Sequence, residues 1–295
     1  MGQLTVPLGH ATSKTTNFYY SFLVLSPPKR RAIRAVYAFA RRADDLADDG
    51  MKPEAVRAGL ERYREALDAC YNIRDSNLHD PALRALAVAI QQFTIPRQPF
   101  DDLIRGFEMD LAMDGGGRGY RTFDELRGYC YHVAGTIGLI CIEIFGYRNA
   151  GTREYAAELG TTLQLVNILR DLPADAGRGR VYLPLDDLAQ FGVKLGQIAS
   201  GEYNEAFINL MRFECARAEQ CFASTRRLLP DEDRRSMIAA EIMAAIYWRV
   251  LKKIRRSQFK VFEQRIGLSR PQRLWTALSV YLGAEWFRPN SEPPA

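Results

Sequence analysis

Paired cysteines are missing from this chain. Its five cysteines, Cys70, Cys130, Cys141, Cys215 and Cys221, are odd in number, scattered and free of any CxxC spacing. That excludes a disulfide framework and a zinc knuckle and makes a reducing cytoplasm the simpler expectation. Strand signals are equally scarce: no run of alternating β-branched residues is bounded by hairpin turns, so sheet architectures drop out. The opening MGQLTVPLGHATSK has no charged start followed by an apolar stretch, and Val6 stands where a myristoylation signal would carry Ser or Thr; neither secretion nor lipidation is expected. The most apolar window, Val133 to Tyr147, carries Glu143 and is about fifteen residues long, short of the roughly 20 that span a bilayer. A GxGxxG fingerprint, a low-complexity linker and a repeat of fixed period are all absent.

What is present is apolar residues recurring at three and four along 295 residues that are 47% hydrophobic and 25% charged. This pattern predicts an all-α chain forming one domain, with its core over about residues 17–287 and a disordered tail at 288–295. Pro27-Pro28 opens a helix to about Asp49, and Pro53 another through Tyr71. Pro81, Pro99 and Gly115-Gly116-Gly117 punctuate two more. Thr122 and Glu125 are placed as a capping box at the head of a helix to Phe145. Beyond Gly151 a helix should reach Arg170 or slightly further before Pro173 and the loop Ala176 to Arg180 interrupt it. Long helices return from Tyr203 to Leu229, Asp231 to Phe262 and Pro271 to Trp286. The net charge of +5 is mild and partly local, at Lys252 to Arg256 and Arg178 to Arg180. No recognised module accompanies it, so no nucleic-acid partner is expected; anionic small molecules or an anionic membrane surface fit better.

Two acidic segments carry the chemistry. In the first, Tyr37, Arg41, Asp44 and Asp48 form one helical stripe beside apolar Ile33, Val36 and Ala40, which turns the carboxylate pair toward an interior cavity. In the second, Gln164, Asn167, Asp171 and Asp175 repeat the spacing on an otherwise apolar helix. A lone DxxxD is more often a solvated helix face. Two such pairs, each with an amide or arginine on its stripe and one followed by Gly177-Arg178-Gly179-Arg180, are costly to desolvate unless a cation sits between them. Mg²⁺ suits the role, taking one or two carboxylates and filling its remaining positions with water and phosphate oxygens; Mn²⁺ is the alternative.

Together with Tyr129-Cys-Tyr-His-Val-Ala-Gly-Thr-Ile-Gly138 and Leu163 to Asp171 continuing through Gly179-Arg-Val-Tyr-Leu-Pro184, the stretch Tyr37 to Asp49 resembles the squalene and phytoene synthase family, from about Asn17 to Leu282. Within it the sequence looks nearest the bacterial presqualene diphosphate and squalene synthases of hopanoid-type pathways. The resemblance implies an isoprenoid-synthase helical bundle around a central cavity, and head-to-head joining of two prenyl diphosphates. Two farnesyl diphosphates giving presqualene diphosphate or squalene is the main expectation; phytoene synthesis from geranylgeranyl diphosphate and a non-catalytic scaffold are the alternatives.

By the same resemblance Asp44, Asp48, Asn167, Asp171 and Asp175 match metal-binding positions. Arg41 and Arg180 match diphosphate contacts, and Gln164 a polar residue of the cavity mouth. Tyr129 matches a tyrosine of proton handling or cation stabilisation, and Tyr37 and Lys14 lie near substrate-contacting stretches. Whether NADPH is used stays open, because reductase members also lack a dinucleotide fingerprint. Of the aromatics near the motifs, Phe18, Phe22, Tyr37, Phe39, Tyr129, Tyr131 and Tyr247, core packing is the expected role of Phe22, Phe39 and Tyr131, and His132 is expected to be structural. Leu172-Pro173-Ala174 departs from the family pattern and makes Asp175 the least secure ligand. A peripheral contact with the inner membrane face could run through Lys252 to Arg256, although a solvated face is the commoner role of such a run.

Overall fold

The computed structural model describes residues 17–48, 53–72, 78–114 and 119–283. Among them every regular element is helical: α1 (Asn17–Ser21), a 3₁₀ turn (Phe22–Val24), α2 (Pro27–Asp48), α3 (Pro53–Tyr71), α4 (Pro81–Phe93), α5 (Gln98–Asp114), α6 (Phe123–Cys130), a π turn (Tyr131–Gly135), α7 (Thr136–Phe145), α8 (Thr152–Gly177), α9 (Leu185–Gln190), α10 (Leu195–Ala199), α11 (Glu205–Arg227), a 3₁₀ turn (Asp231–Asp233), α12 (Ile238–Arg256) and α13 (Arg270–Tyr281). The starts follow local chemistry. Proline heads α2, α3 and α4, where its missing N–H costs nothing. Asp80, Thr122, Asn204 and Ser269 cap α4, α6, α11 and α13 through their side-chain oxygens.

Three expectations need correction. The helix beginning near Thr122 is not uniform, since residues Tyr131–Gly135 widen into a π turn. The helix of the second acidic segment does not stop at Pro173. It continues to Gly177 with the proline inside it, and packing of Leu165, Val166, Ile168, Leu169 and Leu172 into the core outweighs one forfeited backbone bond. The predicted Asp231–Phe262 helix is shorter at both ends, because residues Gln258 and Phe259 take positive φ and turn the chain.

α8 is the hub. It packs against α7 and the π turn on one side and against α11 and α12 on the other. With α7 and with the π turn alike, one glycine makes the contact backbone to backbone. A Cβ on Gly138 would lie 2.2 Å from the carbonyl oxygen of Ala156, and one on Gly160 would lie 2.2 Å from that of Ala134. Residues Phe123–Phe145 are long and apolar enough to cross a bilayer, yet here they line the bundle interior between α5 and α8.

Behind the hub, α9 is pinned to α11. Arg217 donates to both Asp187 (2.6 Å) and Glu214 (2.8 Å) and lies 4.2 Å from the Phe123 ring. Burial, opposed by Arg217 and reinforced by Asp187, pushes the Glu214 carboxyl up to about 8.

Two measurements test this frame. Gly160→Ala should lower unfolding free energy by about 1–3 kcal/mol in denaturant titration, whereas Gly177→Ala, whose Cβ would meet nothing within 4 Å, should not lower it. For Glu214 the folded chain keeps a proton that the unfolded chain releases above its ordinary value of 4.5. Stability should therefore fall as pH rises from 4.5 to about 8 and level off above it. Glu214→Gln should flatten that slope; an unchanged slope would contradict the assignment.

Candidate active site

Two cavities meet inside the bundle. The larger, about 250 Å³, is walled by Ile137, Cys141, Ile142 and Phe145 of α7, Tyr155, Leu159 and Leu163 of α8, and Ala239, Ala240, Met243 and Tyr247 of α12. Phe22, from the 3₁₀ turn, lines it too, and this half-buried ring also packs against the core as expected. Phe39 does pack in the core, 4.3 Å from Tyr63 and 5.4 Å from Phe100 between ring centres. Tyr131 meets His132 edge-on, and the ring nitrogen Nδ1 of His132 is held by the Gly128 carbonyl at 2.7 Å.

The smaller cavity, about 190 Å³, is a polar vestibule lined by Tyr37, Ala40 and Arg41 of α2, Asp110 of α5, Tyr129 of α6 and Gln164 of α8. Val133 and Gln164 line both spaces and form the partition between them. The π turn places Val133 there while Tyr129, one turn earlier, faces the vestibule.

The vestibule's most ordered feature escaped the sequence reading. Asp110 is buried and accepts hydrogen bonds from the hydroxyls of Tyr129 (3.0 Å) and Tyr182 (2.8 Å). The Tyr129 and Tyr182 rings lie 5.1 Å apart and 15° from parallel, and Tyr120 stacks on Tyr129 at 5.3 Å. Burial, then the Asp110 charge, holds the Tyr129 hydroxyl well above its ordinary range, so it stays protonated. The available signal was Asp110 falling three residues after Phe107 and seven after Leu103, a carboxylate set into an apolar helix face. Tyr182 arrives on the strap that follows α8. The strap is anchored where the Arg180 amide bonds the Asp175 carbonyl (2.9 Å) and where the Leu185 amide bonds that of Tyr120 (2.9 Å).

The second acidic segment lies on α8, with Gln164 at the partition. Asn167 lines the larger cavity, donates to Gln164 at 3.0 Å, and keeps its own Oδ1 buried without a hydrogen-bond donor. Asp171 is gripped by the Arg170 guanidinium, whose charge is favoured, against its burial, by Asp171 and Tyr247. Asp175 sits one helical turn from Asp171. Burial and that neighbouring charge push it up to about 7 against the pull of Arg178 and Arg180, and Arg180 itself is buried.

An orphaned amide oxygen and two carboxylates at four-residue steps along α8 are donors of the kind a hard divalent cation takes, so the residues present fit Mg²⁺. Among the described residues no group of three or more His, Cys, Asp or Glu side chains forms a metal site. The first acidic pair, Asp44 and Asp48, lies in the last two turns of α2, beyond Arg41; its side chains, and that of Phe18, fall outside the described ones, and Lys14 lies outside the described residues.

The chain matches the squalene/phytoene synthase family over residues 11–272. It is 42% identical over 256 residues to a phytoene synthase of Mycobacterium tuberculosis, covering 86% of this chain and 82% of that one. Phytoene synthase 2, chloroplastic, of Solanum lycopersicum is 33% identical, covering 90% and 85%. Among solved structures, a dehydrosqualene synthase in complex with ligand superposes with a TM-score of 0.78 at 29% identity, covering 91% of both chains. Squalene synthase HpnC from Alicyclobacillus acidocaldarius gives 0.72 at 28%, covering 85% and 92%.

Tyr129→Phe preserves the ring stack and deletes only the hydroxyl donated to Asp110. Because the lost donor served a buried carboxylate, it should cost about 1.5–3 kcal/mol of stability while slowing single-turnover chemistry by about 10²–10⁴-fold. A rate equal to that of the parent chain would remove Tyr129 from the chemistry.

Proposed function

We propose, from the membership of this chain in the squalene/phytoene synthase family, that it condenses two geranylgeranyl diphosphates head to head to phytoene. The observation that carries the choice is the 42% identity to a phytoene synthase across most of both chains. It favours the C40 alternative over the C30 reading that the motifs first suggested. The larger cavity, walled almost wholly by apolar residues, supplies the kind of space a prenyl tail needs. The C30 reading retains support in the likeness to the dehydrosqualene and squalene synthase structures.

In this reading the tails occupy the chamber and the diphosphates the polar end, near Arg41, Gln164, Asn167, Asp171, Asp175 and Arg180. Bound Mg²⁺ would supply Lewis-acid neutralisation of the departing diphosphate. Arg41 and Arg180 add fixed positive charge where the leaving oxygens collect electrons. As the C1–O bond of the donor breaks, the 2,3 double bond of the acceptor attacks that C1. A proton then leaves the former C1 while its electron pair closes the cyclopropane ring. The stacked faces of Tyr129 and Tyr182 stabilise passing cations. Tyr129 can accept the proton at its oxygen as its own O–H passes to Asp110. The cyclopropylcarbinyl diphosphate then ionises and rearranges, and loss of a second proton makes the central double bond of phytoene. No hydride is consumed, so NADPH is not required.

The test is incubation of the full chain with Mg²⁺ and either geranylgeranyl or farnesyl diphosphate, with and without NADPH, and identification of extracted lipids by mass. A C40 hydrocarbon formed without NADPH, lost in Asp171→Ala, is expected. A C30 product formed from farnesyl diphosphate with the higher kcat/KM would replace this reading by the C30 one, and no product from either substrate would favour the scaffold.

A further inference from the structure

Large apolar side chains are well exposed in few places among the described residues, and they concentrate on α13. Leu274, Trp275 and Leu278 project from it, followed by Tyr281 and Leu282 at its end; Trp275 is 63% and Leu282 74% exposed. At about 100° per residue these five fall within an arc of roughly 120°. Thr276, Ala277 and Val280, which are buried, fall on the opposite side and face α12 and α1, against which α13 packs. The helix therefore has two apolar faces, and among the described residues only one of them is packed. A contiguous exposed stripe centred on Leu278, with Trp275 and Tyr281 at its two edges, marks a contact surface.

The surrounding charge selects the partner. Residues 252–283 carry eight lysines and arginines and a single glutamate, against a net charge of +5 for the whole chain. Part of this charge is committed inside the protein: Lys252 and Arg255 bind Glu219, and Lys253 donates to the Gly267 carbonyl at 2.7 Å. The Lys252 to Arg256 run thus serves largely to fasten α12 to α11 and to the following loop. Arg270 stands on α13 itself at the edge of the apolar stripe, and Arg265 and Arg270 both lie within electrostatic reach of Arg273 on the same helix.

We propose that α13 is a membrane-docking helix that seats Leu274, Trp275, Leu278, Tyr281 and Leu282 in the interface of a bilayer bearing anionic headgroups. An apolar arc rimmed by cations has the pattern of an interfacial helix, and the basic rim fits the negative surface potential of such lipids. The inner side of the same helix adjoins the site: Arg273 lies within electrostatic reach of Tyr20 and of Arg170, the partner of Asp171. Docking through α13 would therefore hold the polar end of the cavities close to the headgroups. The proposal does not depend on the length of the prenyl chain used.

The experiment is sedimentation of the full chain with vesicles of phosphatidylcholine alone or mixed with phosphatidylglycerol, comparing the parent chain with W275S/L278S. Both substitutions are on exposed positions, so the melting temperature should be unchanged. The parent chain should pellet with the mixed vesicles and much less with phosphatidylcholine alone. The double variant should lose about tenfold or more of that partitioning. Brominated lipid should quench tryptophan fluorescence in the parent chain and not in the variant. Failure of the parent chain to bind mixed vesicles, or equal binding by the variant, would overturn the proposal. So would a parent chain that is dimeric without lipid and monomeric in W275S/L278S, because a second copy would then cover the stripe.

Discussion

Two glycines bring the backbone of α8 against that of α7 and of the π turn, and the site is arranged around that contact. Gly138 sits against the Ala156 carbonyl and Gly160 against that of Ala134, so the two axes approach more closely than ridges of ordinary side chains allow. At these two points no side chain intervenes, and the larger residues of both helices turn elsewhere. Ile137, Cys141, Leu159 and Leu163 wall the chamber, while Leu165, Ile168 and Leu169 fill the core. The same proximity fixes the rotation of α8, and hence the stripe on which Gln164, Asn167, Asp171 and Asp175 stand. A hydrophobic chamber and a charged mouth are thus two faces of one packing decision.

At that mouth the protein holds polar groups in states that would be unfavourable elsewhere. Asn167 keeps a buried oxygen without a donor, Asp175 is lifted toward neutrality by burial and by Asp171, and Asp171 is occupied by Arg170. Deeper in the vestibule the opposite holds: Asp110 has a tyrosine hydroxyl on each oxygen, within a ring stack that leaves little room to move. Asn167, short of a donor, and Asp175, lifted toward neutrality, suit the binding of a charged species that arrives and leaves. The fully bonded ones suit a proton path whose geometry must not change.

How much of this was legible depended on how local the cause was. The starts of α2, α3 and α4, and the Thr122–Glu125 capping box, could be read because proline and caps act within a turn. The acidic stripe of α8 could be read because a carboxylate on an apolar helix stands out; the side chains of the first pair lie outside the described ones. Pro173 misled, since a local rule predicts a break and only tertiary burial of α8 decides against it. The role of Phe22 depends on where α7 and α12 lie, which no window around Phe22 contains. The committed state of Lys252 and Arg255 depends on Glu219, more than thirty residues away. Asp110 is an intermediate case: its position on an apolar face was visible, but its partners Tyr129 and Tyr182 come from two other segments.

The π turn at Tyr131–Gly135 makes the helical run a phase shifter. A residue added to one turn rotates everything upstream of it by about 100° relative to everything downstream. Upstream stands Tyr129, which must face Asp110; downstream stand Gly138 and the chamber wall, which must face α8. In a uniform α-helix these two demands would be out of step. Deleting one residue between Tyr131 and Gly135 would leave composition, hydrophobicity and helix content almost untouched and still separate the chemistry from the cavity it serves. In this stretch chain length, counted residue by residue, carries as much functional information as residue identity.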